Sequence, residues 1–382
     1  MKEADRVKYL FVGVGGCGIN LVSSLLNFRK NTNDNFVFIN TSKKEFYNIS
    51  SLPKGKKEKV RGFLVGDGSG AGRNPDVGSQ LIGGLKGEMH DAFENYFHSL
   101  NYGVEDSIVV VILHSLSGGS GGGMAPTITE LFYDIFKTNK DSFKIFSMLN
   151  VAVFPFRSEV SPAMQNALYS FYNLYDTVIA TKKSSVLLVE NDYMANEVLK
   201  FEKQANYANI NNEIVNRLDF LFDFRQISHD PVVNGLGVFD VSEYMRIFSV
   251  SRISDAGMFN AYSYDSKTHK MWSWFNSYDY GEVKRSSTMN VLIFRNDNPV
   301  NINVINSTIA DMGNKFNIIK QSVKLSDKFD VTVLSNNLSF PSVIFNNLTK
   351  KAQKDMAAIS KKDVKSKNGI KKMKKSKSKF KF

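Results

Sequence analysis

The chain carries one cysteine, Cys17, among its 382 residues. A lone thiol excludes an internal disulfide and any multi-cysteine metal site, so a reducing cytoplasm is the expected compartment. No apolar run approaches the roughly 20 residues that cross a bilayer, and no membrane span is expected. The opening MKEADRVKYLFVGVGG enters a strand-like segment without a hydrophobic leader core or cleavage site, so no secretory signal is expected. The five histidines (His90, His98, His114, His229 and His269) show no paired ligand spacing, and no protein-held metal is expected. The body also lacks a basic bias. Net charge is +12, yet Lys350–Phe382 alone holds 14 lysines against Asp355 and Asp363. The high pI therefore belongs to one appendage. A content of 42% hydrophobic and 23% charged residues is that of an ordinary globular protein, with length enough for two domains.

Glycine, by contrast, is concentrated. An apolar run, Ser107–Leu113, leads into HSLSGGSGGGMAP (residues 114–126), and amphipathic Thr127–Lys137 leaves it. This reads as strand, glycine loop and helix, with Pro126 at the helix start, where a missing N–H does no harm. Glycines take positive φ and let several N–H groups converge on one anion, and a helix start adds partial positive charge. A phosphate cradle is expected. A second glycine segment, Gly13–Gly18, follows the strand-like Val7–Gly13 and precedes Ile19–Leu26, which has helical spacing. It fits G-x-G-x-x-G, but a dinucleotide enzyme would end its second strand in an acid. Here Phe36–Ile39 ends in Asn40-Thr41, which disfavours NAD. The third segment, Gly66–Gly78, taken alone reads as a surface loop. Three such loops, each after a strand-like run, suit a mononucleotide triphosphate at the carboxyl edge of one parallel sheet.

Further strands are expected at Ser142–Val153 and Ser185–Val189, and helices at Asn166–Tyr175, Tyr193–Lys203 and Asn209–Phe224. After His229-Asp230-Pro231 the pattern changes to strands at Arg246–Ile253, Met289–Phe294 and Phe329–Leu334, with a helix at Val304–Phe316. The fold class expected is α/β. A Rossmann-like parallel-sheet domain covers 1–205, a central core helix 206–228, a smaller α+β domain 229–340, and a helical or disordered basic tail 341–382.

These residues resemble the tubulin/FtsZ superfamily of polymerising GTPases over roughly 7–335. Gly13-Val14-Gly15-Gly16-Cys17-Gly18-Ile19-Asn20 is similar to that family's first nucleotide loop, in which Gly15, Gly16 and Cys17 would meet phosphate and Asn20 the guanine. Gly70-Ala71-Gly72-Arg73-Asn74-Pro75 resembles its third loop. Ser117–Gly123, with Gly118, Gly119, Ser120, Gly121 and Gly122, resembles the signature G-G-G-T-G-[ST]-G with departures at Ser117, Ser120 and Gly122. The resemblance further implies that Glu159 meets the ribose, that Asn191 contacts the nucleoside, and that Asn212 or Glu213 reads the base. The arginine that FtsZ places four residues after the acid is Ala163 here, with Arg157 a candidate substitute. Asp240 and Glu243 fit the family's N-x-D-x-x-[DE] loop, although its asparagine is Val238. Through them a neighbouring subunit would trigger hydrolysis. The resemblance thus implies the tubulin/FtsZ fold, GTP/GDP with Mg2+, and head-to-tail assembly of the chain with itself.

Three other readings stand beside this one. Gly118–Gly122 also satisfies the hydrolase elbow GxSxG, but the strand ends several residues earlier than an elbow requires. Asp240 and Glu243 alone would be an ordinary acidic helix start. The protein could also bind GTP and polymerise with little hydrolysis, as a structural filament. The lysine tail reads either as a solubilising extension or as a binder of nucleic acid or of a DNA-bound adaptor. Among family branches a basic tail favours the TubZ type, which segregates plasmid or phage DNA. The phage spindle tubulins (PhuZ) and a divergent cell-division FtsZ are the alternatives.

Overall fold

The computed structural model describes residues 6–29, 34–46, 54–159, 161–222, 245, 248, 257–265, 268, 270–277, 289–295, 316–321, 331–338, 345–346, 349–350 and 353. Its centre is a sheet of β1 (Val7–Val14), β2 (Asn35–Asn40), β3 (Val60–Leu64), β4 (Ser107–Ser115), β5 (Ile145–Phe154), β6 (Ser185–Glu190) and β7 (Met258–Asp265). These seven pair in parallel, in the order β3-β2-β1-β4-β5-β6-β7. Apolar β-branched runs explain the inner strands, which lie under helices on both faces. β4, SIVVVILHS, is buried through its first eight residues. Beyond β7 the sheet turns mixed. β11 (Val331–Leu338) runs antiparallel to β7 and to β9 (Met289–Arg295), β10 (Phe316–Gln321) runs parallel to β9, and β8 (Lys270–Ser273) hairpins with β7.

The helices are α1 (Gly15–Phe28), α2 (Pro75–Gly84), α3 (Lys86–Ser99), α4 (Gly119–Thr138), α5 (Ser161–Leu174), α6 (Asn191–Val198) and α7 (Tyr207–Phe222). On one face Tyr9, Phe11, Val109 and Leu149 meet α1 and the apolar stripe Ile210, Ile214, Leu218 and Leu221 of α7. On the other, Leu10, Val12, Val110 and Ile112 meet Phe93 and Phe97 of α3 and Phe132 and Phe136 of α4. A third cluster lies under α5, where Phe345 packs on Phe154 and Phe171. No helix among the described residues is long and apolar enough to cross a membrane.

The α/β fold with a parallel-dominated sheet agrees with the sequence, and several boundaries differ. α1 begins at Gly15 rather than Ile19, and α4 at Gly119, so Pro126 lies two turns inside its helix. Close packing overrides the poor helix propensity of glycine. A side-chain carbon on Gly123 would sit 2.1 Å from the Pro75 oxygen, and one on Gly122 2.4 Å from Ser170 Oγ. The third glycine segment is loop only to Asn74. There the Asn74 side chain accepts from Asp76 N at 3.0 Å and Pro75 takes the first helical position of α2. α6 stops at Val198, short of the expected Lys203. The expected strand at Arg246–Ile253 and helix at Val304–Phe316 fall outside the described residues, except Phe248 and Phe316, and Phe316 opens β10.

Candidate nucleotide site

Chain order reverses at the β1–β4 pair: β2 and β3 lie to one side, β5 and β6 to the other. At such a switch point the crossover helices leave in opposite directions and open a crevice at the carboxyl ends of the strands. Both strands there run into glycine-started helices. α1 follows β1 with no intervening residue, and its N-cap Val14 offers no side-chain cap. Gly118, the N-cap of α4, offers none either, and neither helix has an acid in its first turn. Gly122 N is the first to bond back along α4, to Gly118 O at 2.9 Å. The N–H groups before it have no helical acceptor by geometry. The two starts also touch. Gly15 has φ +71°, and a side-chain carbon there would lie 2.7 Å from Gly121 N.

Two more walls close this side. The turn Ala71–Asn74, bonded from Asn74 N to Ala71 O at 2.9 Å, sits on Gly119, where a side-chain carbon would meet Asn74 N at 2.7 Å. Gly70 N donates to Thr41 O at 2.9 Å, and the Thr41 and Ser120 hydroxyls share a 2.7 Å hydrogen bond. Ser120 is therefore engaged with a threonine in the first turn of a helix, which is not the geometry of an elbow nucleophile. The Glu45 carboxylate lies 3.2 Å from where a side chain on Gly16 would begin. Beneath the cradle His114 is fully buried, and burial pushes its imidazole down to about 4 against a smaller opposing effect from the Ser115 backbone.

The other side of the crevice is made of side chains. Glu159 accepts from Phe156 N at 3.0 Å and from the Tyr207 hydroxyl at 3.4 Å. Tyr207 packs edge-on against Phe156. Its hydroxyl is raised above its ordinary pKa, first by burial and then by the Glu159 carboxylate, with Arg73 pulling the other way. The same carboxylate adds to burial in pushing the Cys17 thiol up to about 12. The first glycine loop, the third loop, Glu159 and the start of α7 thus surround one space. Asn20 is exposed on α1, one turn beyond Gly16, and Asn191 is the buried first residue of α6. Arg157 is occupied by Glu190 at 3.5 Å and Asp192 at 4.0 Å.

Tyr207 was missed by sequence reasoning. On α7 Asn211 lies one turn from it, half-buried, whereas Asn212 is exposed and about 100° further round the helix. Glu213 pairs with Arg217 at 2.6 Å. Helical phase could have found Tyr207, because it extends the Ile210–Ile214–Leu218 stripe to the end of the helix. Asp240 and Glu243 lie outside the described residues. Away from the crevice, His90, Asp91 and Glu94 on the surface of α3 bring one ligand atom each within 4.8 Å of one another, a grouping that histidine spacing did not reveal.

A family model for the tubulin/FtsZ family, GTPase domain, matches residues 8–198. Tubulin-like protein CetZ3 of Haloferax volcanii is 23% identical over 256 residues, 66% of this chain and 60% of that protein. Cell division protein FtsZ 1 of Pyrococcus woesei is 26% identical over 190 residues, 49% of this chain and 45% of that one. The chain spans about half the length of the curated relatives it matches. Among solved structures, a protofilament of Bacillus thuringiensis serovar israelensis TubZ in its GTPγS form superposes with a TM-score of 0.68 at 12% identity, covering 95% of this chain and 94% of that one.

Proposed function

Because the chain belongs to the tubulin/FtsZ family, we propose that it is a GTPase that polymerises head to tail, with GTP held between successive subunits. The observation that carries this reading is the pair of uncapped helix starts in contact at the switch point. They form a cradle of backbone donors that side chains would fill, which suits the phosphates of a nucleotide. Glu159 and Asn191 serve the ribose and nucleoside, and Tyr207 with Asn211, rather than Asn212, faces the base. The oxygen donors near Gly16 and Ser120, namely Glu45 and Thr41, suit a hard cation. Mg2+ there, when bound, supplies charge neutralisation of the phosphates.

The division of labour in this reading is simple. The first subunit binds the nucleotide and excludes water from its phosphates. Asp240 and Glu243 of the next subunit orient the attacking water, so turnover follows assembly. The tail Lys350–Phe382 takes a polyanion, nucleic acid or a DNA-bound adaptor, and the TubZ-type role in plasmid or phage DNA segregation in a bacterial cytoplasm suits that charge. Buried Ala163, where the resemblance places an arginine, favours a second reading, a filament that binds GTP with little turnover.

Phosphate release and light scattering against protein concentration test both. A shared threshold is expected, and Glu243→Ala and Asp240→Ala should assemble while losing most turnover. Turnover proportional to protein from zero, without scattering, would end the filament reading. Scattering without release would favour the second.

A further inference from the structure

The turn that carries Glu159 is held from outside. It spans residues 156–159, just beyond β5, and is closed by Glu159 N on Phe156 O at 3.0 Å and by Phe156 N on the Glu159 carboxylate at 3.0 Å. The N–H of its second residue has no acceptor inside such a turn. Arg157 N finds one elsewhere. It donates to Asp192 Oδ2, in the first turn of α6, at 2.7 Å, a charge-assisted bond across 35 residues. The Arg157 side chain goes the same way, with Nη2 at 3.5 Å from Glu190 and Nε at 4.0 Å from Asp192.

The anchor itself is fixed. β6 is buried throughout, and its last residue, Glu190, is the N-cap of α6 yet gives that helix no side-chain cap. Its Oε1 accepts instead from Ser277 N and Ser277 Oγ, both at 2.9 Å, while Glu190 N donates to Phe275 O at 2.9 Å. Asn191, next in the chain, is the nucleoside contact of the GTP reading, and Asp192 follows it. An acid in a first helical turn is ordinarily a partner for the helix dipole, and that role alone would show in stability. The bond to Arg157 N gives Asp192 a second role. We infer that Asp192 is a positioning residue for Glu159: it holds the turn 156–159 in the crevice wall, so that the Glu159 carboxylate meets the ribose hydroxyls and the site prefers a ribonucleotide. The inference rests on the GTP reading of this crevice and adds the residue that sets its sugar specificity.

Binding of GDP and of its 2′,3′-dideoxy analogue to the full chain tests it, in wild type, Glu159→Ala, Asp192→Ala, Asp192→Asn and the double alanine variant. Wild type should favour GDP about tenfold, the scale of one hydrogen bond to a charged group, and Glu159→Ala and Asp192→Ala should each bring the ratio to within about twofold of unity. Each should bind the dideoxy analogue as wild type does, which reports that it is folded. Asp192→Asn keeps an oxygen for Arg157 N and should retain the preference. With Glu159 already removed, Asp192→Ala should add nothing. A preference that survives Asp192→Ala, equal weakening of both nucleotides, a preference lost in Asp192→Asn, or a further loss in the double variant would each overturn the inference while leaving the GTP reading intact. A wild-type ratio near unity would take Glu159 off the ribose and the inference with it, and wild type that binds neither nucleotide would remove the GTP reading as well.

Discussion

On the phosphate side of the crevice nearly every surface is main chain: the first turns of α1 and α4 and the turn Ala71–Asn74 meet through glycines. On the other side, the proposed nucleoside subsite, Glu159 follows β5, Asn191 opens α6, and Tyr207 and Asn211 share the first turns of α7, so that side chains from three places make the wall. The first arrangement fixes donors to the frame of the sheet and leaves no volume for change. The second spreads the wall over side chains that can be altered one at a time. Substitutions should therefore act as all-or-none on one side and by degrees on the other.

The hardest test of that contrast is Gly15→Ala. A left-handed alanine costs about 1–2 kcal/mol, and forcing its methyl against Gly121 N adds about 1–3 kcal/mol. We expect a total of about 3 kcal/mol, seen as a roughly 100-fold loss of nucleotide affinity or an equivalent fall in stability, by titration and melting with and without GDP. Wild-type behaviour would show that the two helix starts are not held in contact.

Acid should strain the same side. His114 has an ordinary value of 6.5 and is lowered to about 4 by burial. Below about pH 6.5 an unfolded chain takes up a proton that the folded chain refuses until about pH 4, so stability falls with acid across that window and is unaffected above it. The full effect is up to roughly 3 kcal/mol. His114→Leu should flatten the fall in Tm between pH 7 and pH 4.5, and an unchanged slope would assign it to other groups.

On the nucleoside side, Tyr207→Ala and Glu159→Ala should each weaken GDP by roughly tenfold, about 1.4 kcal/mol, without moving Tm by more than a degree or two. If either abolished binding as Gly15→Ala does, the contrast between the two sides would not hold.

The contrast also explains what the sequence made legible. A site of backbone needs glycine at fixed offsets after buried strands, and Gly13–Gly18 and Gly118–Gly123 display that pattern without a structure. The strands themselves were visible for the same reason: β1, β4, β5 and β6 are buried on both faces and read as continuous apolar runs. Helix starts were not. Glycine propensity placed them after the loops, whereas packing against Pro75 and Ser170 draws Gly119–Gly123 into α4. Helical phase marks Tyr207 only as the end of an apolar stripe, which looks like core until Glu159 is found against its hydroxyl. β3, VRGFL, was legible only as a strand-like run before Gly66, because as an edge strand it leaves four of its five residues, all but Phe63, incompletely buried and two of them exposed.

The abutting starts of α1 and α4 have one more consequence. Each helix ends in about half a positive charge, and with Gly15 against Gly121 the two are pressed together with no acid in either first turn. An empty crevice thus sets like poles against each other. A bound polyphosphate acts as an internal counterion to the fold, and the protein should be harder to strip of nucleotide than its contacts to base and sugar alone would require.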